Sequence, residues 1–347
     1  MSEQLRLSDA NLPDYLRELG LAGADEEVAV EKAGDGNINW VRRARLADGR
    51  SWIVKQARPA LERFPQYQVS TERIVFEARY LELARSLHGG GICPEILHFN
   101  ERERVLILED LGDAERLDQR LARGWDARGV AASLGGFLGA VHAATGDPAL
   151  AERFRNDAMR RLHGDHIFVL PFAPNDFPLH PAVAERARAL QSDDFRGIAA
   201  DAYARYLEPR GALLHGDVQA GNVLLPPGGP KLLDAEIAHV GDPAFDLGTL
   251  VAHLLMADIA AGTPDRALPS AAEAWSAYRA GNRGGPRFAD VARYAGLEVL
   301  RRTVGAARIP AAEGVDASLA LIEAAERWVR RPPAEPAGLS GAPRGPA

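Results

Sequence analysis

The chain has 347 residues, 46% of them apolar and 26% charged, enough for an ordinary hydrophobic core and more than one small domain usually holds. A net charge of −7 argues against nonspecific binding to nucleic acid, and no apolar run reaches the ~20 residues of a membrane span. Cys93 is the single cysteine, and no basic stretch followed by an apolar run opens the chain, so a reducing, cytoplasmic setting without disulfides is expected.

A short helix is expected over residues 9–20, after Ser8 and Asp9 and ending at Gly20. Strands follow at 27–32, 40–46 and 51–56, the last two joined by a turn carrying Asp48-Gly49. Residues 71–87 place Ile74, Ala78 and Leu81 on one helical stripe, and 104–109 read as a buried strand. The first ~110 residues therefore form a small sheet-rich lobe of α+β type. After Gly112 the pattern becomes helical. Leu134, Phe137, Leu138 and Val141 have helical spacing within 129–144, and residues 181–208 also read as helical. Short apolar runs at 212–214, 223–225 and 231–233 read as strands, and helices return at 244–260, 288–307 and 312–330. The expected division is a lobe at 1–110, a larger, mostly helical lobe at 111–330, and a disordered Pro/Gly/Ala tail at 331–347 with little to bury.

The run His215-Gly216-Asp217, with Asn222 five residues after Asp217 and Asp234 closing the third apolar run, carries the chemistry. Phosphoryl transfer needs a positioned hydroxyl, a metal bridging phosphates, and positive charge on the nucleotide. Asp217 can accept a hydrogen bond from an acceptor hydroxyl. Asn222 and Asp234 offer oxygens of the kind Mg²⁺ prefers, with Glu236 as a further ligand or water holder. Lys55 shares a strand face with Ile53 and can reach ATP phosphates. Glu77 lies on the apolar stripe of its helix, where a carboxylate needs a partner, and Lys55 is the natural one; Glu72 and Glu82 are rivals for the role. Gly34, Gly36 and Asn37, between two strands, can bring backbone N–H groups to phosphates, although the segment also suits a plain hairpin turn.

His-Gly-Asp-Val-Gln-Ala-Gly-Asn at 215–222, Leu-Leu-Asp-Ala-Glu at 232–236 and Gly-Asp-Pro-Ala-Phe-Asp-Leu-Gly at 241–248 resemble the aminoglycoside phosphotransferase and choline kinase superfamily. The resemblance implies a bilobal protein-kinase-like fold and an ATP- and Mg-dependent small-molecule kinase. It implies Asp217 as catalytic base, Asn222 and Asp234 as metal ligands, His215 and Asp246 as supports of the loop, and the segment around Glu109 and Leu111 as the hinge that holds adenine by its backbone. Gly-Asp-Gly-Asn-Ile-Asn-Trp-Val at 34–41 and Ile-Val-Lys-Gln-Ala-Arg-Pro at 53–59 are most similar to the 5-methylthioribose kinase family, as is Leu-Arg-Arg-Thr-Val-Gly-Ala-Ala at 300–307. That similarity implies that Arg301 and Arg302 help hold the acceptor, and it suggests a homodimer. At Gln219, Ala220, Asn222 and 234–237 the chain follows the wider superfamily instead. The expected acceptor is a sugar hydroxyl, of methylthioribose or a related pentose. An aminoglycoside or amino-alcohol (choline-type) acceptor, or a kinase-fold binding protein without activity, are the alternatives. Residues 154–180, with His163, Asp165 and His166, could form part of the acceptor wall; their spacing matches no standard zinc pattern.

Overall fold

The computed structural model describes residues 5–34, 39–60, 68–89 and 91–340. Helix α1 (Leu12–Glu18) precedes strands β1 (Val28–Lys32), β2 (Trp40–Leu46) and β3 (Ser51–Gln56). Helix α2 (Arg73–His88) and strands β4 (Ile96–Asn100) and β5 (Val105–Glu109) complete a five-stranded antiparallel sheet in the order β1-β2-β3-β5-β4. The turn between β2 and β3 forms at Asp48-Gly49: Gly49 has φ +93°, and the Asp48 side chain accepts from the backbone N–H of Arg50 at 2.9 Å.

Alternation along β3 gives the sheet two distinct faces. Trp52 and Val54 join Trp40, Ala44, Val105 and Ile107 in a small core covered by Leu12 and Leu16 of α1. Ile53 and Lys55 point the other way, toward α2 and the larger lobe, where Leu106 and Leu108 enter the main core. The expected stripe of α2 is fully inside: Ile74, Ala78 and Leu81 are at most 1% exposed.

The larger lobe opens with β6 (Glu115–Arg116), α3 (Leu117–Ala122) and α4 (Arg128–Ala144). Short helices α5 (Ala149–Arg153) and α6 (Asp157–Gly164) lead through a π-helical turn, Asp165–Val169, to α7 (Pro181–Ala189) and α8 (Asp193–Leu207). The helical stretch expected over 181–208 is divided into two helices. Ser192 breaks it: its hydroxyl accepts from the Phe195 N–H as an N-cap, and Asp193 and Asp194 occupy the new first turn, where the helix dipole favours them. Strands β7 (Ala212–Leu214), β8 (Val223–Leu225), β9 (Lys231–Leu232) and β10 (His239–Gly241) form two small sheets, β6-β8-β9 and β10-β7. Helices α9 (Ala244–Ala260), α10 (Pro264–Gly281), α11 (Phe288–Val304) and α12 (Val315–Arg330) follow.

Helix α10 was not expected from sequence, because Pro264 and Pro269 both lie in it. Pro264 sits at the helix start, where no N–H is needed, and Pro269 lies inside at the loss of one backbone bond. Packing holds the helix in place. Its backbone runs along a notch cut in α4 by Gly135 and Gly139, where an added Cβ at Gly139 would lie 2.5 Å from the Tyr278 carbonyl oxygen and one at Gly135 would overlap that of Ala274. Gly135→Ala should force these helices apart and lower stability by about 1–3 kcal/mol. A urea titration checks it: the midpoint should drop with the slope unchanged.

Residues 331–340 also differ from the disorder expected of the tail. Pro336–Leu339 form a 3₁₀ turn, and Leu339, 2% exposed, enters the main core. Among the described residues no helix is long and apolar enough to cross a membrane.

Candidate active site

Strand β7 ends where His215-Gly216-Asp217 begins. Asp246, in the first turn of α9, is wholly buried and takes two backbone N–H donors from this loop, His215 to Oδ2 at 2.7 Å and Gly216 to Oδ1 at 2.9 Å. Burial opposes its charge, but His142 and these donors hold the carboxyl below its ordinary value. Gly216 has φ +84°, and a Cβ there would lie 2.6 Å from the Ile237 carbonyl oxygen, so the loop admits only glycine. The His215 ring is buried edge-on against Tyr80, with ring centres 5.2 Å apart. Burial keeps it neutral, and its Nδ1 accepts from the Asp217 N–H at 3.3 Å.

Asp217 presents its two oxygens differently. Oδ2 accepts from Gln219 Nε2 at 2.8 Å and Asn222 Nδ2 at 3.0 Å. Oδ1 is buried and has no hydrogen-bond partner among the described residues. Asn222 is joined to the next segment by its carbonyl, which accepts from the Leu233 N–H at 2.8 Å. Asp234 follows with φ +63°, a left-handed conformation uncommon outside glycine, and its side chain is 48% exposed.

Across the cleft, Lys55 Nζ donates to both oxygens of Glu77, at 2.7 and 2.9 Å, and to Asp234. Glu77 is 1% exposed, whereas the rivals Glu72 and Glu82 are exposed. Burial alone would lower the Lys55 ammonium, but Asp234, Glu77 and Glu236 outweigh it and keep it charged. Burial pushes the Glu77 carboxyl up to about 7, with Lys55 opposing. The ammonium divided among three carboxylates stays charged and, against burial, holds Asp234 below its ordinary value, while burial still pushes Glu77 and Glu236 up.

Glu236 is held by residues outside the expected set. Asn39 Nδ2 donates to its Oε1, and the Arg73 guanidinium lies 3.6 Å from its Oε2. Arg73, 0% exposed, also donates to Asn39 Oδ1 at 2.7 and 3.1 Å. Glu77, Asp234 and Glu236 bring carboxylate oxygens within 4.8 Å of one another, against the two cations Lys55 and Arg73. One negative charge is left over, which suits a divalent cation. Gly34 ends the described part of the glycine segment at φ +67°; Gly36 and Asn37 lie outside the described residues.

At the end of β5 the Glu109 carboxylate is already engaged, accepting from Lys231 Nζ and the Glu95 N–H, both at 2.9 Å. Leu111, two residues on, is half-buried. Arg43, on the same sheet face as Lys55, ties β2 to this segment through the Gly112 carbonyl at 2.7 Å and Asp110 at 2.9 Å.

Arg301 and Arg302 are 9% and 8% exposed in the last turn of α11, so they do not form a solvated face. Glu298, one turn earlier, joins them. It accepts from Arg302 Nε at 2.7 Å, Arg301 Nη1 at 3.1 Å and His253 Nε2 at 3.2 Å. Burial opposes its charge, but Arg301 and Arg302 hold its carboxyl well below the usual range. Arg302 Nη2 then donates to Gln219 Oε1 at 2.8 Å and stands 4.0 Å from Asp217 Oδ1. Sequence reasoning missed Glu298, although its spacing of three and four residues from the arginines is a pairing signal. It missed Asn39 and Arg73 as site residues for want of any local signal, since their partner Glu236 lies far along the chain.

His163, Asp165 and His166 do not gather into a metal cluster. His163 is buried edge-on to Phe245 and kept neutral by burial, while Asp165 is exposed and accepts from the Tyr203 hydroxyl at 2.8 Å. Among the described residues the one cluster with metal-ligand spacing is Glu77, Asp234 and Glu236.

A family model described as the phosphotransferase enzyme family matches residues 29–291. A methylthioribose kinase of Yersinia enterocolitica is 30% identical over 275 residues, covering 74% of this chain and 67% of that protein. A second, from Yersinia pseudotuberculosis, is 27% identical and covers 91% of this chain and 88% of its own. An aminoglycoside phosphotransferase structure from Alicyclobacillus acidocaldarius shares the fold, with a TM-score of 0.53 at 14% identity over 97% of this chain and 96% of that one. The chain belongs to the phosphotransferase enzyme family, and it is a kinase with an alcohol group as acceptor.

Proposed function

We propose that the protein is an ATP- and Mg²⁺-dependent sugar kinase acting on S-methyl-5-thioribose or a related pentose derivative. The observation that carries this reading is the state of Asp217: one oxygen is saturated, and the other is buried and unpartnered beside a pair of buried arginines. A buried acceptor without a donor is costly, and an acceptor hydroxyl would satisfy it. Asp217 then accepts the hydroxyl proton as phosphoryl transfer proceeds.

The other residues divide the remaining work. Lys55, steadied by Glu77, neutralises nucleotide phosphate. Asp234 and Asn222, joined through the Leu233–Asn222 backbone bond, would hold magnesium, with Glu236 beside them fastened to Asn39 and Arg73. Magnesium held there would supply positive charge that offsets the phosphate charge. The backbone of Glu109 and Leu111 would hold adenine, and Gly34 would offer its N–H toward phosphate.

The charges around Asp217 favour a sugar over an aminoglycoside or choline-type acceptor. Asp217 and Glu298 are matched by Arg301 and Arg302, and the neighbouring His163 and His253 are kept neutral by burial. A polycation would meet no surplus of negative charge there. The methylthioribose kinases at 27–30% identity support the same choice. ATP consumption measured with methylthioribose, ribose, choline and kanamycin tests the reading. Turnover with a pentose derivative and none with the cations is expected; turnover with kanamycin or choline alone would overturn it.

A further inference from the structure

We propose that Gln219 is a positioning residue that carries the hold of Arg302 to the Asp217 carboxylate and so determines which oxygen meets the acceptor hydroxyl. The inference rests on Asp217 as the base. An Asp carboxylate turns easily about its last torsion, whose preference is broad and two-fold. Something must hold it if one oxygen is to stay aimed at the acceptor.

The Gln219 amide is fixed from both sides. Its Nε2 donates to Asp217 Oδ2 at 2.8 Å, and its Oε1 accepts from Arg302 Nη2 at 2.8 Å. Reversing the amide would put oxygen against carboxylate and NH₂ against guanidinium, so the neighbours themselves assign its orientation. Asn222 adds a second donor to the same Oδ2 at 3.0 Å. Both donors approach one oxygen, and Oδ1 is left open.

Arg302 is a firm anchor for this arrangement. It is buried, and its Nε is tied to Glu298 one helical turn away at 2.7 Å. Its Nη2 stands 4.0 Å from Asp217 Oδ1, beyond hydrogen-bond reach, so its charge acts on the carboxylate without direction and its directional hold passes through the Gln219 amide. The two arginines therefore differ in task. Arg301 shares Glu298 but has its Nε buried without a partner, and it is the one left to address the acceptor.

Two variants separate positioning from binding or folding. Gln219→Met keeps length and removes both bonds. Gln219→Glu can still accept from Arg302 but has no N–H for Asp217. Both should lower kcat roughly 10- to 100-fold, as misaligned groups do, with KM for ATP and acceptor and the unfolding midpoint close to native. Methylthioribose, or the acceptor found by the screen above, serves for the kinetics. A crystal structure of Gln219→Met, which needs no acceptor, should show the Asp217 carboxylate rotated from its native plane. Native kcat in both variants, a raised acceptor KM with kcat intact, or an unmoved Asp217 in the Met variant each overturns the inference. Asp217→Asn run alongside keeps the two levels apart, since turnover surviving there removes the base itself, whereas its loss with active Gln219 variants removes only the relay.

Discussion

Asp217→Asn should reduce kcat by about 10²–10⁴-fold, the usual contribution of a positioned general base, with little change in KM for ATP. The local geometry makes this variant sharper than alanine. Gln219 Nε2 and Asn222 Nδ2 both donate toward Oδ2, so the new amide will turn its carbonyl oxygen to them. Its NH₂ then occupies the Oδ1 position and presents a donor where the acceptor hydroxyl needs an acceptor. Size is conserved and the residues proposed to contact ATP, Lys55 and the backbone of Glu109 and Leu111, are not altered, so the protein should fold and bind nucleotide. Steady-state kinetics with nucleotide titration checks this, and a kcat within tenfold of native would mean that another group takes the proton.

The second large effect is on stability. Glu298→Gln should destabilise the protein by about 3–5 kcal/mol, because it leaves two buried guanidinium groups facing a neutral amide. Glu298 is 1% exposed and is the shared acceptor of Arg301, Arg302 and His253. The same residue sets a pH dependence. Its folded carboxyl titrates well below its ordinary value of 4.5, so its contribution is fully present above that value and is lost as pH falls through the lower folded one. Denaturant unfolding of both proteins from about pH 7 down to pH 3 should show the native protein losing stability toward acid more steeply than the Gln variant. Parallel curves would show that Glu298 is not an ionised partner of the arginines.

Much of this architecture is legible in local pattern, and what is not has physical reasons. Alternation in β3 put Lys55 on a face of its own, and the stripe of α2 made Glu77 a buried carboxylate in need of a cation; the two meet at 2.7 Å. The His215–Asn222 run stands out as the proposed catalytic loop because tight turn, glycine and polar side chains follow one another directly. Helix α10 was hidden because its formation depends on glycine contacts with α4 that no window of sequence contains. The break at Ser192 was hidden because one hydroxyl cap interrupts a hydrophobic period that otherwise continues on both sides. Asn39, Arg73 and Glu236 are joined only by folding, across as many as 197 positions. Pro336 and Leu339 show how two buried apolar side chains can hold a segment whose average composition predicts none of its order.

The two-faced sheet constrains how this gene can change in length. Lys55 serves the cleft while its neighbours Trp52 and Val54 fill the core under α1. Deleting or inserting a single codon within β3 would exchange those roles, burying the ammonium under α1 and turning an indole toward Glu77 and Asp234. Such changes are tolerable in this strand only in pairs. Free variation in length belongs instead at the Asp48-Gly49 tip, where residues can be added without altering the parity of either flanking strand.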